Sequence, residues 1–377
     1  MDERICSRKG AKHEKVAKER KDFAFESLCG FICERCYNLT ASLYRVRMFC
    51  GVLDTSVGYK IQIRAKVFQR IHVKAPWCVV AAALVLGGAH TLWAWPRPEA
   101  SAKVECASIS SAILERSVSY CVALPPGYEA SSKKHYPTLY FLHGLFEDEH
   151  SWLDRGGEEI WENLTAQGDL ANFIVVLPAG GRTFYVNSQD GRERYEDFFI
   201  QELVPEIDRK YRTLAVTGER GISGVSMGGY GALHLAMRHP DVFGSASAHS
   251  AALLPKFPDP LPTEGRWGFY ARVLQEPFGS PLNESYFDAN NPLTLAEHPE
   301  RFPHLALYFD CGDHDRYGFE EGGGLLDRIL SQKDFPHTFA LRPGGHGWDY
   351  LHQYLHFSLE FHSTLFSQAE NAHLTAH

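Results

Sequence analysis

The chain has 377 residues, of which 44% are hydrophobic and 22% are charged, and its net charge is -8. This composition is ordinary for a globular protein and excludes a chain that is wholly disordered or fibrous. Residues 1–75 carry 16 Lys/Arg against 8 Asp/Glu, whereas the remaining residues carry 22 against 38. Because the acidic main body would repel a nucleic acid, we expect no nucleic-acid partner.

The N-terminal part divides into a basic leader over residues 1–75 and an apolar segment over residues 76–95. Cys33-x-x-Cys36 in the leader looks like half of a zinc knuckle, but no second ligand pair follows at zinc spacing, so no metal is expected. The apolar segment follows basic residues, and its strongly apolar core of about a dozen residues is shorter than a spanning helix. This pattern indicates a secretory signal peptide, with a membrane anchor as the alternative.

Two consequences follow from that segment. A signal peptide predicts a secreted or periplasmic protein, and an uncleaved segment would be the one expected contact with a membrane. Because signal peptides begin at an N-terminus, residues 1–75 are interpreted as a weakly structured leader or as the product of a mis-assigned translation start.

Residues 103–366 alternate between strand-like and helix-like segments, which predicts one α/β domain, followed by a polar tail over residues 367–377. Continuous apolar runs are typical of strands buried on both faces of a mostly parallel sheet. Cys106 and Cys121 could face each other across a hairpin, and residues 251–300 are expected to form an insertion over the site. The predicted strands are 118–124, 138–142, 173–177, 221–225, 243–248, 305–309 and 337–341, and the predicted helices are 195–211, 230–238 and 350–366.

The segment Gly224-Val-Ser-Met-Gly228 matches the pattern G-x-S-x-G between a predicted strand and a predicted helix. Small neighbours allow a sharp, strained turn that exposes the Ser226 hydroxyl, and the helix N-terminus offers N–H groups to a developing oxyanion. The motif alone also fits an inactive glycine-rich turn. Ser226 therefore becomes a candidate nucleophile only together with a base and an acid.

Candidate partners follow Ser226 in the chain order Ser, then Asp, then His that this type of site requires. His346 lies on a glycine-rich loop after the last predicted strand, where it can reach a serine hydroxyl. Three carboxylates, Asp310, Asp313 and Asp315, follow the strand 305–309, and their spacing does not separate them.

The oxyanion would need two backbone donors, one after the nucleophile and one on a loop that follows an early strand. The segment His143-Gly-Leu145 follows the strand 138–142. We assign the N–H groups of Leu145 and Met227 to this role.

Together these motifs resemble the esterase D / feruloyl-esterase-like family of α/β hydrolases, which includes tributyrin-type esterases, S-formylglutathione hydrolases and mycolyltransferase antigens. The resemblance covers roughly residues 104–365 and implies the α/β-hydrolase fold with helices on both faces of the sheet. It also implies that Asp315, the last residue of Cys-Gly-x-x-Asp, is the acid beside Ser226 and His346, although the adjacent Asp313 departs from the pattern. The motifs that carry it are residues 119–128, 136–144, 185–188, 195–198, 224–229, 311–315 and 343–348.

The expected function is that of a serine carboxylesterase, which cleaves small-molecule or polysaccharide-linked esters, either short-chain or aryl, through an acyl-enzyme on Ser226 without a cofactor. An acyltransferase that uses a sugar or lipid alcohol is the alternative, and an inactive binding protein is disfavoured because the whole triad is present in order. Tyr185, Asn187 and Trp348 are expected to shape the pocket, although core packing explains the aromatic residues equally well.

Overall fold

A computed structural model describes residues 102–255 and 263–375, which form one sheet flanked by helices. The sheet order is β1-β2-β4-β3-β5-β6-β7-β8, and β1 and β2 run antiparallel to their neighbours while all other pairs are parallel. The predicted mostly parallel sheet is therefore confirmed. The strands are β1 (Lys103–Ser111), β2 (Arg116–Leu124), β3 (Thr138–Leu142), β4 (Ile174–Pro178), β5 (Arg220–Val225), β6 (Ser245–His249), β7 (Ala306–Gly312) and β8 (Thr338–Arg342).

The helices follow the strands along the chain, and most short connections are 3-10 turns or loops. They are α1 (Ser151–Asp154), α2 (Gly157–Gln167), α3 (Tyr195–Phe198), a π-helical turn (Phe199–Leu203), α4 (Val204–Lys210), α5 (Met227–Arg238), α6 (Gly265–Phe278), α7 (Glu284–Asn290), α8 (Pro292–Leu295), α9 (Phe319–Gln332) and α10 (Trp348–Thr375). Helix α10 continues beyond its predicted end into the predicted polar tail, because residues 367–375 contain no Gly or Pro to stop a helix.

The sheet separates two apolar clusters, one on each face. Strand β4 sends Val175 into one cluster and Val176 into the other, as the two-residue period of a strand requires. Helices α2 and α10 cover the first face, where Trp161 and Phe366 pack, and α5 covers the second with Leu233. Helices on both faces leave the loops at the carboxyl ends of the parallel strands as the place for a site.

The first two strands form an antiparallel hairpin in which Cys106 lies opposite Cys121, and the two residues form a disulfide. The suggested pairing across a hairpin is confirmed. Cys33-x-x-Cys36, the leader over residues 1–75 and the apolar segment over residues 76–95 lie outside the described residues. Among the helices that are described, none combines the length and the apolar character needed to cross a membrane.

His362, a buried histidine of α10 that faces β6, makes the stability of the fold depend on pH. The His362 ring is fully buried, and its two nitrogens hydrogen-bond to the hydroxyls of Ser245 and Ser247 at 2.8 and 2.9 Å. Burial, together with nearby His249, lowers the pKa of His362 to about 3. The unfolded chain therefore binds a proton at His362 more readily than the folded chain does. The contribution of neutral His362 to the free energy of unfolding is present above about pH 6.5 and is lost as the pH falls towards 3.

We expect His362→Gln to remove this dependence, because glutamine can hydrogen-bond but has no proton to gain. The free energy of unfolding of the wild type minus that of the variant, measured by urea denaturation, should decrease by roughly 1 kcal/mol for each pH unit below about pH 6.5. A difference that stays constant down to about pH 4 would contradict this expectation.

Candidate active site

The backbone at Ser226 adopts a strained conformation where β5 meets α5. Its φ and ψ are 59° and -116°, a region that non-glycine residues rarely occupy. The Ser226 N–H donates to the carbonyl of His249 at 2.9 Å, and its carbonyl accepts from the N–H groups of Tyr230 and Ala252 at 3.0 Å. Because these bonds hold the residue from both sides, the strained turn persists and presents the hydroxyl at the end of the sheet.

The glycines of the motif are required by close backbone contacts. A Cβ on Gly228 would overlap the carbonyl oxygen of Leu142 in β3, and a Cβ on Gly224 would overlap the carbonyl of Gly228. The pattern G-x-S-x-G therefore reflects the close approach of β3, β5 and the first turn of α5.

His346 lies on the loop between β8 and α10 and hydrogen-bonds to a buried carboxylate. Its Nδ1 is 2.7 Å from Oδ2 of Asp315, whose other oxygen accepts the N–H of Tyr317 at 2.8 Å. The Tyr317 ring also stands edge-on to the imidazole, with 4.7 Å between the ring centroids. Because Nδ1–H donates to Asp315, Nε2 is the nitrogen left to accept a proton.

The two other candidate carboxylates have different partners. Asp313 accepts from Nδ1 of His314 at 2.6 Å, which lowers the pKa of Asp313, and it accepts the N–H of Gly344 at 3.0 Å. Asp310 is buried between Nδ1 of His249 at 2.8 Å and the hydroxyl of Tyr308 at 2.7 Å. Of the three, Asp315 is the carboxylate that the structure places on His346.

A cavity of about 320 Å³ opens beside Ser226 and His346. Its volume lies at the lower end of the range for small-molecule sites. Both residues that carry the predicted oxyanion donors, Leu145 and Met227, line this cavity, as does Trp348. The remaining wall combines apolar side chains with four charged residues, which are Glu147, Arg155, Arg316 and Asp349. Its other aromatic residues are Phe146, Phe184, Phe269, Tyr270, Tyr317 and Phe319.

The loop that carries Leu145 is held by His143. The Nδ1 of His143 is 2.8 Å from the carbonyl oxygen of Gly144, and its Nε2 accepts the N–H of Gly180 at 2.8 Å. Burial lowers the pKa of His143, so the ring stays neutral with its proton on Nδ1. The Leu145 N–H belongs to the same planar peptide as the Gly144 carbonyl, so fixing that carbonyl also fixes the direction of the donor.

The structure corrects the placement of two predicted pocket residues. Tyr185 is fully buried behind the cavity, where its hydroxyl donates to the carbonyl of His143 at 3.1 Å. The Asn187 side chain accepts the N–H of Asp197 at 3.1 Å. Neither residue is among those that line the cavity in the described part of the chain. The neighbouring Phe184 lines the cavity instead, since the chain turns through positive φ at residues 184 and 185.

Sequence reasoning missed several residues of the cavity wall. Phe269 and Tyr270 lie on α6, within the insertion that was predicted only as a whole, and Tyr317 and Phe319 follow the acid loop. The hydroxyl of Tyr270 donates to the carbonyl of Tyr317 at 2.6 Å, which ties the insertion to the acid loop. The signal that could have indicated an aromatic helix face at the cavity was the helical spacing of aromatic residues over 267–270.

Cys106, Cys121 and His150 form the one cluster within residues 102–255 and 263–375 that has the spacing of metal ligands. The two sulfurs are joined in the disulfide, and a metal would need thiolates. These residues therefore do not fit a metal site.

Comparison with known proteins adds a family match. The family model Esterase, described as "Putative esterase", matches residues 111–362. An endo-1,4-beta-xylanase/feruloyl esterase of Xylanibacter ruminicola is 37% identical over 33% of this chain, but the match spans only 18% of that protein. An acetyl esterase of Caldicellulosiruptor saccharolyticus is 29% identical over 60% of this chain and 83% of its own length.

Solved structures agree with this match. A ferulic acid esterase superposes with a TM-score of 0.61 and 28% identity, and the alignment covers 71% of this chain and 99% of that one. A fluorophosphonate-binding serine hydrolase of Staphylococcus aureus superposes with a TM-score of 0.58 at 22% identity, over 70% and 98% of the two chains. The second likeness shows the fold alone, and both neighbours are α/β hydrolases.

Proposed function

Because the chain belongs to the Esterase family, we propose that it is a carboxylic-ester hydrolase that cleaves short-chain or aryl esters through an acyl-enzyme on Ser226. The observation that carries this proposal is the hydrogen bond of 2.7 Å between His346 and Asp315 at the cavity that Ser226 also lines. A nucleophile, an oriented base and two candidate oxyanion donors then share one small space.

In the first step, Nε2 of His346 takes the proton of the Ser226 hydroxyl as its oxygen attacks the ester carbonyl carbon. The N–H groups of Leu145 and Met227 stabilise the oxyanion, and the buried Asp315 stabilises the imidazolium. The carbon–oxygen bond to the alcohol then breaks, and the imidazolium returns its proton to that alcohol. A water molecule then attacks the carbonyl carbon of the acyl-enzyme and loses a proton to His346. The bond from that carbon to Oγ of Ser226 breaks, the imidazolium returns its proton to Oγ, and the carboxylic acid leaves.

The walls of the cavity support an aromatic or short acyl group as substrate. Seven of the residues that line it are aromatic, among them Phe184, Phe269 and Trp348, and apolar walls favour an apolar acyl group. Flat aromatic walls also allow stacked or edge-on contacts with an aryl acid. The feruloyl and ferulic acid esterases among the similar proteins support the same substrate class.

Hydrolysis of p-nitrophenyl esters from acetate to decanoate, together with methyl ferulate and methyl benzoate, tests the proposal. We expect kcat/KM to fall by about tenfold or more from the short to the decanoyl ester, since ordering a long flexible chain between the aromatic walls costs conformational entropy that a short or rigid acyl group avoids. Methyl ferulate should be cleaved at least as well as methyl benzoate. An optimum at decanoate, with no cleavage of either aryl ester, would contradict the assigned substrate class.

The same assay separates hydrolysis from acyl transfer. Adding a sugar alcohol at increasing concentration should leave the yield of free acid unchanged if water is the acceptor. A rising yield of sugar ester at the expense of free acid would show instead that the chain is an acyltransferase.

A further inference from the structure

Glu147 forms a bridge between the loop after β3 and the first residue of helix α10. Its Oε2 accepts the N–H of Gly144 at 2.9 Å, and its Oε1 accepts the indole N–H of Trp348 at 2.9 Å. Only 18% of the Glu147 side chain is exposed, and Nε of Arg155 lies 3.7 Å from Oε1. One carboxylate therefore joins this loop to the start of a helix that lies 201 residues further along the chain.

The loop after β3 carries a candidate oxyanion donor next to the bridge. The peptide between His143 and Gly144 has its carbonyl bound by Tyr185 and its N–H bound by Glu147. The next peptide has its carbonyl bound by His143, and its N–H is that of Leu145. Since both peptide planes are held, a rotation of the Leu145 N–H requires one of these bonds to break.

The first turn of α10 provides a rigid support. The Trp348 side chain is buried and packs against Phe141 in the apolar cluster under α10. Trp348 also stands two residues after His346, the candidate base. A bond from Glu147 to this indole therefore anchors the loop of Leu145 to the core and links it to the loop of the base.

We propose that Glu147 is a positioning residue, which holds the Leu145 N–H in the direction needed for the oxyanion by bridging Gly144 to Trp348. This inference rests on the proposed function, because it assumes a reaction at Ser226. Glu147 lines the cavity, but both of its carboxylate oxygens accept N–H groups of the protein, so its proposed role is exerted through the backbone of the loop that carries Leu145. The interactions it secures matter most when charge develops on the oxyanion, so its loss should lower kcat more than it raises KM.

Glu147→Gln tests the bridge, because it changes the hydrogen-bonding groups of the side chain but keeps its shape. Both partners of the carboxylate are N–H donors, so each needs an acceptor oxygen. Glutamine has the same shape but only one acceptor oxygen, and its NH₂ group would face one of the two donors. We expect kcat for p-nitrophenyl acetate to fall by about tenfold to a hundredfold, less than or equal to the loss of a whole oxyanion donor, with KM changed by less than about threefold.

Trp348→Phe is the second variant of the test, and it is combined with Glu147→Gln in a double variant. Phenylalanine keeps an aromatic ring against Phe141 but removes the indole N–H, so the NH₂ of a glutamine at position 147 no longer meets a donor. The double variant should therefore be no slower in kcat than Glu147→Gln alone, whereas independent effects would multiply. Glu159→Gln serves as the matched control, because Glu159 is exposed on α2. The control should keep the wild-type kcat and KM.

Wild type and Ser226→Ala are assayed in parallel, and thermal unfolding of each variant is recorded. Activity that persists in Ser226→Ala would overturn the proposed function and this inference with it. If activity depends on Ser226 but Glu147→Gln keeps kcat within about twofold, only the positioning role is overturned. Multiplicative losses in the double variant would also overturn it. If Glu147→Gln fails to fold, a kcat of Trp348→Phe within twofold of wild type would contradict the bridge.

Discussion

Replacing Ser226 with Ala is expected to lower kcat/KM for p-nitrophenyl acetate by at least about 10⁴-fold. The loss is large because the acyl-enzyme forms on the Ser226 hydroxyl, and the oriented imidazole then has no serine hydroxyl to deprotonate. The backbone donors remain in place, so a small residual rate above that of water is expected. Initial rates over a range of substrate concentrations measure the effect, and labelling by a fluorophosphonate should disappear with it.

Ser223→Ala is the matched control, because Ser223 lies on β5, three residues before Ser226. Its hydroxyl is buried and accepts a hydrogen bond from Ser247 at 2.8 Å, away from the cavity. We expect a small loss of stability, with kcat/KM within about threefold of wild type. If Ser226→Ala retained the wild-type rate, the hydrolysis would have to use another nucleophile, and the triad would be wrong.

Asp315→Asn is expected to lower kcat by about 10³–10⁴-fold with little change in structure. Asparagine is nearly the same size, but it offers its NH₂ group or a neutral oxygen to His346 in place of a carboxylate. The imidazole then loses the partner that sets its tautomer and stabilises its positive charge in the transition state. Measurements of kcat and KM, together with a thermal unfolding curve, separate this effect from misfolding.

The adjacent Asp313 offers a matched comparison within the same loop. Asp313→Asn keeps an oxygen that can accept the N–H of Gly344 and loses only the charge paired with the exposed His314. We expect kcat within about threefold of wild type, since exposed ion pairs contribute little. The reverse ranking, with Asp313→Asn the slower variant, would transfer the role of the acid to Asp313.

Much of the fold could be predicted from local patterns. Strand β3 was predicted with its observed bounds, Thr138–Leu142, because a continuous apolar run marks a strand buried on both faces. Helix α9 was missed because Gly322-Gly-Gly324 interrupts its apolar pattern. A Cβ on Gly322 would overlap the carbonyl of Leu253, so Gly322 serves a close contact that appears only after folding.

The sequence by itself determined the residues whose requirements are local. The glycines around Ser226 and the chain order of Ser226, Asp315 and His346 can be recognised without a structure, because a strained turn restricts its own neighbours. Local spacing left three nearby carboxylates as candidates for His346, and the family resemblance and the tertiary structure both single out Asp315. Tertiary structure alone decided that Tyr185 faces the core. It also decided that Glu147 reaches Trp348. These contacts join residues far apart in the chain, and their geometry depends on how whole elements pack, which no local pattern encodes.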